Sequence, residues 1–119
     1  MQNKTYKDLR VWQKSIDLCL QIYEATKSFP ESEKFGLISQ MRRAAISIPS
    51  NIAEGSKRGT DKSNKNFLHV SFGSGAELET QLVIAERLGY TKANEIASIN
   101  DNLANIMKML SGLIKHLDS

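Results

Sequence analysis

Residues 42–58, with the sequence RRAAISIPSNIAEGSKR, hold the densest set of side chains capable of chemistry. Five polar side chains recur there at steps of 4, 4, 3 and 4, which places them on one helix face: Arg43, Ser47, Asn51, Glu54 and Arg58. Such groups can hydrogen-bond to one another inside a protein, or the guanidinium groups can contact phosphate. The row therefore predicts either a buried polar network or a binding surface.

Pro49 interrupts this helical segment, because proline has no N–H and its ring clashes with the preceding turn. The Ala45 carbonyl consequently loses its helical partner, and we expect a kink at the proline. Ser47, Ser50 and Asn51 offer replacement donors beside the break.

Positive charge is concentrated in the same part of the chain. Residues 42–65 contain six basic side chains against two carboxylates, a local charge of +4 in a chain of net charge +3. These six are the candidate nucleic-acid-binding residues: Arg42, Arg43, Lys57, Arg58, Lys62 and Lys65. Basic clusters attract the phosphates of RNA or DNA, but solvated helix ends carry similar clusters in proteins that bind neither.

The other reactive side chains do not form a catalytic or metal-binding pattern. Cys19 lies on an apolar helix face, where cysteine is typically a small buried residue and not a nucleophile. His69 and His116 are not spaced to pair with a nucleophile, and no glutamate precedes a histidine by three residues, as di-iron bundles require. The sequence predicts no catalytic residue, no metal site, no cofactor and no enzymatic activity.

Apolar residues at helical spacing divide the chain into four segments. The first has the seam Leu9, Trp12, Ile16, Cys19 and Tyr23. The last has the longest seam, which steps 3, 4, 3, 4, 3 and 4: Ile96, Ile99, Leu103, Ile106, Leu110, Leu113 and Leu117. Short connections and the lack of strand alternation predict an all-α, up-down-up-down four-helix bundle, with a kinked second helix and residues 1–119 in one domain.

Two helices have features beyond a core stripe. Gly73 and Gly75 lie inside the third helix, where each glycine costs about 1 kcal/mol relative to alanine, so we expect another helix to approach closely. The fourth helix has additional apolar residues at Met107, Met109 and Ile114, which predict either a subunit interface or a wider core stripe.

The sequence has no signal of membrane insertion or export. No apolar segment reaches the roughly 20 residues of a membrane span, and no apolar signal sequence begins the chain. The single cysteine cannot form an internal disulfide, which suits a reducing compartment. We expect a cytoplasmic protein without a membrane partner.

Several runs in the chain form one pattern. The central run is Arg42-Arg43-Ala44-Ala45 followed by Ser47-Ile48-Pro49-Ser50-Asn51-Ile52-Ala53-Glu54-Gly55. Three others are Tyr6-Lys7-Asp8-Leu9-Arg10-Val11-Trp12, Gly73-Ser74 with Glu77-Leu78-Glu79, and Leu88-Gly89-Tyr90. In this pattern the chain resembles bacterial four-helix bundle proteins encoded within intervening sequences of large-subunit ribosomal RNA genes. The structural motif residues are Ser47, Pro49, Asn51, Glu54, Gly55, Gly73, Ser74 and Glu77; Gly75 departs from the pattern, because the family usually has a larger apolar residue there.

The resemblance implies a homo-oligomer, commonly a homopentamer, with no established enzymatic activity. The family is similar to accessory proteins of diversity-generating retroelements, which are pentameric and basic, and this similarity suggests RNA or DNA binding. The leading hypothesis is a non-enzymatic ring that offers repeated basic surfaces to RNA or DNA. The alternative is an oligomeric scaffold or adaptor that binds a protein partner and no nucleic acid.

Overall fold

Four long helices make up most of the computed structural model, which describes residues 5–118. The helices are α1 (Arg10–Thr26), α2 (Leu37–Ser56), α3 (Asp61–Arg87) and α4 (Ala93–Asp118). Each helix packs against the next in sequence and α1 packs against α4, whereas α1 and α3 do not touch. The predicted up-down-up-down bundle is confirmed, and the part of the chain described contains no strand.

Local sequence signals account for the helix ends. Thr5 and Asp8 form a capping box, which caps a short 3-10 helix at Tyr6–Asp8, and α1 begins only after Leu9. Thr60 caps α3, because its hydroxyl accepts a hydrogen bond from the Ser63 N–H at 3.2 Å. Gly59 and Gly89 end the preceding helices with φ of 85° and 76°, a left-handed conformation that glycine adopts without strain.

The core-facing side of α1 differs from the prediction. Val11, Leu18 and Ile22 are buried, whereas Leu9 and Tyr23 of the predicted seam are exposed. The rest of that seam is half-buried at the edge of the core. Two adjacent apolar rows run along this helix, and spacing alone cannot show which one the other three helices cover.

The predicted seam of α4 is buried from Ile96 to Leu110 and half-buried at its end. Its additional apolar residues pack inside the same chain: Ile114 belongs to the core, and Met107 and Met109 pack against it. They therefore widen the core stripe, and the half-buried Met109 also lines a surface groove with Leu113. A subunit interface on this helix stays a prediction.

The two α3 glycines have different environments. A Cβ added at Gly75 would overlap the sulfur of Met107, so this glycine makes room for a side chain of α4. The space beside Gly73 is empty within 4 Å of an added Cβ. The predicted close approach thus occurs at Gly75, through a side chain and not a helix backbone, and the prediction was wrong for Gly73.

α2 continues in helical conformation through Pro49, whose ring is buried. The bend expected at this residue stays a prediction. Among residues 5–118, no helix combines the length and the apolar character needed to cross a bilayer.

Candidate nucleic-acid interface

The Ala45 carbonyl has no helical partner because of Pro49, and it accepts a hydrogen bond from a neighbouring helix. The Cys19 thiol on α1 donates a hydrogen bond to the Ala45 oxygen, with 3.2 Å between sulfur and oxygen. Burial raises the pKa of this thiol to about 11, so it retains the proton that it donates. The replacement donor is therefore Cys19, and not one of the Ser and Asn residues expected from the sequence.

Polar residues of the predicted row bond to each other and to α3. The Ser47 and Ser74 hydroxyls lie 2.8 Å apart. The Asn51 side-chain amide donates to the carbonyl and hydroxyl oxygens of Ser47, at 2.8 and 2.9 Å. The Ser71 hydroxyl donates to the Ile48 carbonyl at 2.9 Å. The Ser47–Ser74 and Ser71–Ile48 bonds hold α2 against α3 just before Pro49, and the Asn51 bonds span Pro49 within α2.

The C-terminal part of the row, Glu54 and Arg58, lies where the end of α2 meets the start of α3. Glu54 is exposed and forms an ion pair with Arg58 at 3.2 Å. The Arg58 guanidinium also lies 4.9 Å from the centre of the Phe67 ring. Gly55 permits the close contact of the two helices, because an added Cβ would lie 2.8 Å from Asn64 Oδ1 and from Phe67 Cβ.

Arg42 interacts with the C-terminal end of α1. Its Nε donates to the Thr26 hydroxyl at 2.9 Å, and an Nη donates to the Tyr23 carbonyl at 3.3 Å. Its guanidinium lies 4.4 Å from the centre of the Tyr23 ring. Arg42 therefore satisfies helix-end groups and is half-buried, which leaves it little reach toward a phosphate.

Arg43 is exposed on the face that α2 and α3 share. It lines a shallow groove with Phe35, Glu77 and Gln81, and Glu77 forms no ion pair with it. Roughly 20 Å of helix separates Arg43 from Lys57, at about 1.5 Å per residue. The predicted basic zone is therefore divided into two parts.

The second part of the zone is enlarged by residues distant in sequence. The antiparallel helix order brings residues 5–10, 54–65 and 112–118 to one end of the bundle, which we call the basic end. Contacts tie these segments together: Tyr6 lines a groove with Lys57, and Arg10 lines one with Leu113. The basic end carries seven basic side chains against four carboxylates: Lys7, Arg10, Lys57, Arg58, Lys62, Lys65 and Lys115.

Most of these cations face solvent. Lys65 pairs with Asp118 at 2.7 Å, and Arg58 is engaged by Glu54. Among the described residues, no carboxylate pairs with Lys57 or Lys62, and both are exposed. The opposite end, residues 24–37 and 86–95, carries four basic side chains against five carboxylates. The charge of the bundle is thus polarised along its length.

Sequence reasoning missed three members of the basic end, Lys7, Arg10 and Lys115. The available signal was their position at the start of the first helix and the end of the last, which an up-down bundle brings beside the α2–α3 turn. Residues 5–118 contain no cluster of three or more His, Cys, Asp or Glu side chains that could hold a metal ion.

The fold and the polarised charge define a small helical bundle with one basic end, and comparisons with known proteins place it in a family. The profile of the 23S rRNA-intervening sequence protein family matches residues 7–112, so the chain belongs to that family. It is also similar to a crystal structure of a protein of unknown function from the S23 ribosomal protein family of Bacteroides thetaiotaomicron. That similarity has 27% identity and a TM-score of 0.79, covering 88% of this chain and 98% of the other. No curated protein matches the chain.

Proposed function

We propose that the chain is a non-enzymatic bundle that assembles into a homo-oligomer, a pentamer in the leading hypothesis, and binds the phosphate backbone of RNA or DNA. The observation that carries this proposal is the basic end, where exposed lysines from both chain termini join those of the α2–α3 turn. Phosphate contacts of this kind bind without reading sequence.

Assembly would strengthen a weak contact. Within residues 5–118, a single basic end offers only a few cations without a carboxylate partner, with Lys57, Lys62 and Lys115 among them. A ring of parallel copies places several such ends on one side, and linked sites gain affinity without new contacts. The matching family is described by its rRNA intervening sequences, and the similar crystal structure as of unknown function; neither description names an enzyme.

The contacts of the basic-end residues determine which substitutions test binding. Lys57→Ala and Lys62→Ala remove exposed charges without breaking an ion pair, whereas Arg58→Ala would also expose Phe67 and unpair Glu54. Lys92→Ala is a matched control, because Lys92 is exposed at the opposite end. Binding to a structured RNA and to duplex DNA would be measured by fluorescence anisotropy at several salt concentrations.

We expect each basic-end substitution to weaken binding and to reduce the slope of log K against log salt by about 1, since one phosphate contact is lost. Lys92→Ala should leave the slope unchanged. If the native chain fails to bind even at low salt, the nucleic-acid proposal is wrong.

One observation favours the alternative of a scaffold for a protein partner. An apolar groove of about 340 Å³ lies between the start of α1 and the end of α4, lined by Leu9, Val11, Met109 and Leu113. Exposed apolar grooves are typical of protein-binding surfaces. Failure to bind nucleic acid, together with an intact oligomer, would favour this scaffold function.

A further inference from the structure

A groove of about 580 Å³ lies at the basic end, where the C-terminal half of α2 meets the start of α3 and the 3-10 helix before α1. Two half-buried aromatic side chains, Tyr6 and Phe67, line this groove together with Lys57. We call it the aromatic groove. Proteins that bind single-stranded nucleic acid combine these two kinds of side chain, because bases stack on the rings and cations contact the backbone.

The two rings are held in place before any ligand binds. Tyr6 lies in the capped 3-10 helix, where the Thr5 N–H donates to the Asp8 carboxylate at 2.9 Å. Its ring contacts the Trp12 ring edge-on, with 5.5 Å between ring centres. Phe67 lies within α3. Little conformational entropy is therefore lost when a ligand packs against these rings.

Positive charges border the aromatic groove on several sides. Lys57 is exposed and has no carboxylate partner among residues 5–118. The Arg58 guanidinium lies 4.9 Å from the centre of the Phe67 ring. Lys7 directly follows Tyr6 in the chain and is exposed. The phosphates on either side of a base in this groove would thus lie near positive charge.

The groove also presents hydrogen-bond acceptors. The Asn51 amide nitrogen is occupied by Ser47, so the amide oxygen is the atom left to accept. The Glu54 carboxylate is exposed, and its charge is balanced by Arg58, which bonds to one of its two oxygens at 3.2 Å. Such acceptors suit the N–H donors that every base carries on its pairing edge. In a duplex the complementary base occupies those donors.

We infer that the aromatic groove binds an unpaired base of single-stranded RNA or DNA, with the base against Tyr6 and Phe67 and the adjacent phosphates at Lys57 and Lys7. A duplex keeps its bases stacked inside, so it offers the basic end only its backbone. This inference rests on the proposed function and specifies the form of nucleic acid that the basic end prefers.

Binding of one labelled strand, alone and annealed to its complement, tests the preference by fluorescence anisotropy. We expect the native chain to bind the single strand at least about 5-fold more tightly than the duplex, which is the lower end of what one stacked base contributes. Tyr6→Leu and Phe67→Leu should each reduce this preference and leave duplex affinity unchanged. Phe72→Leu is the matched control, because Phe72 is an exposed ring of α3 that does not line the groove.

The salt dependence separates ring contacts from phosphate contacts. Lys57→Ala should reduce the slope of log K against log salt for the single strand by about 0.7, since one phosphate contact is lost. Tyr6→Leu should weaken single-strand binding and keep the native slope. Tyr6 lies outside the four long helices, so this variant remains decisive if Phe67→Leu lowers the helical content measured by circular dichroism.

A strand of abasic sugars tests the role of the base directly, because it retains every phosphate. The native chain should bind it at least about 5-fold more weakly than the same length of normal strand. Equal affinity for these two strands, or equal losses for strand and duplex in Tyr6→Leu, would overturn the base-binding groove and leave phosphate binding intact. If the native chain binds neither strand nor duplex at low salt, both this inference and the proposed function are wrong.

Discussion

The hydrogen bond from Cys19 to the Ala45 carbonyl makes a quantitative prediction about the proline in α2. Pro49 cannot donate to that carbonyl, and the Cys19 thiol lies 3.2 Å from it. Replacing Cys19 with alanine therefore leaves the fully buried Ala45 with an unsatisfied oxygen. In a Pro49→Ala variant, by contrast, the new N–H at position 49 can donate to the same oxygen, as in an ordinary helix.

The expected loss of unfolding free energy in Cys19→Ala has two parts. Leaving a buried acceptor unsatisfied costs about 1–3 kcal/mol, and a thiol is a weak donor, so we expect about 1 kcal/mol. Loss of the half-buried sulfur from the Cys19 site costs about 1 kcal/mol more, as for a methylene group. Cys19→Ala should thus destabilise the native chain by about 2 kcal/mol, and the Pro49→Ala variant by only about 1 kcal/mol.

Urea denaturation of the four proteins of this double-mutant cycle measures the difference. All four must be compared at one protein concentration, because self-association adds to apparent stability. The packing loss and any effect of Pro49 on the unfolded chain cancel in the cycle. Equal costs of Cys19→Ala in the two backgrounds, within about 0.4 kcal/mol, would refute the reasoning.

Three further predictions concern the same helices. Asn51→Ala should lower the unfolding free energy by about 1–3 kcal/mol, because the amide bonds twice to Ser47; the exposed Ser50→Ala is its control, and equal effects of the two would contradict the network. Gly73→Ala should stabilise the protein by about 0.5–1 kcal/mol, since open space surrounds this helical position, whereas Gly75→Ala should destabilise it through Met107; effects of the same sign would contradict the packing. Burial raises the pKa of Cys19 from 9.0 to about 11, so its contribution to stability is complete below pH 9 and is lost as pH rises through 11. The stability difference between the native chain and Cys19→Ala should therefore narrow over that range in urea titrations, and a constant difference would show that the thiol is not desolvated.

The helices and their order could be predicted from the sequence, because each helix has apolar residues at helical spacing within its own segment. α4 shows this best, where the seam from Ile96 to Leu110 is the buried one. The face of α1 could not be predicted, because Leu18 and Cys19 belong to adjacent apolar rows and only the surrounding helices select between them.

The hydrogen-bond donor to the Ala45 carbonyl could not be predicted from the sequence for a related reason. Cys19 is 26 residues away, and only the packing of α1 on α2 brings the two together. Nearby Ser and Asn side chains were the natural candidates, but Ser47 and Asn51 bond to each other and to α3.

The basic zone shows the opposite effect of three-dimensional structure. Basic residues that are close in sequence are separated in space by the length of α2. Arg42 is hydrogen-bonded to the end of α1. Lys7, before α1, and Lys115, near the end of α4, lie instead at the same end of the bundle as Lys57. The sign and approximate location of the charge could be predicted from the sequence, but which residues form the basic end could be identified only from the fold.

The location of the charge is tested most directly by two variants that share one net charge. Lys57→Glu with Lys62→Glu reverses two charges at the basic end, and Arg87→Glu with Lys92→Glu reverses two at the opposite end, so each lowers the net charge from +3 to −1. Anisotropy titrations with one labelled RNA at about 50 mM salt should show a loss of at least about 100-fold in affinity for the first, corresponding to two phosphate contacts, and a change of only a few-fold for the second. Equal losses in the two variants would contradict binding through the basic end and attribute the affinity to net charge alone.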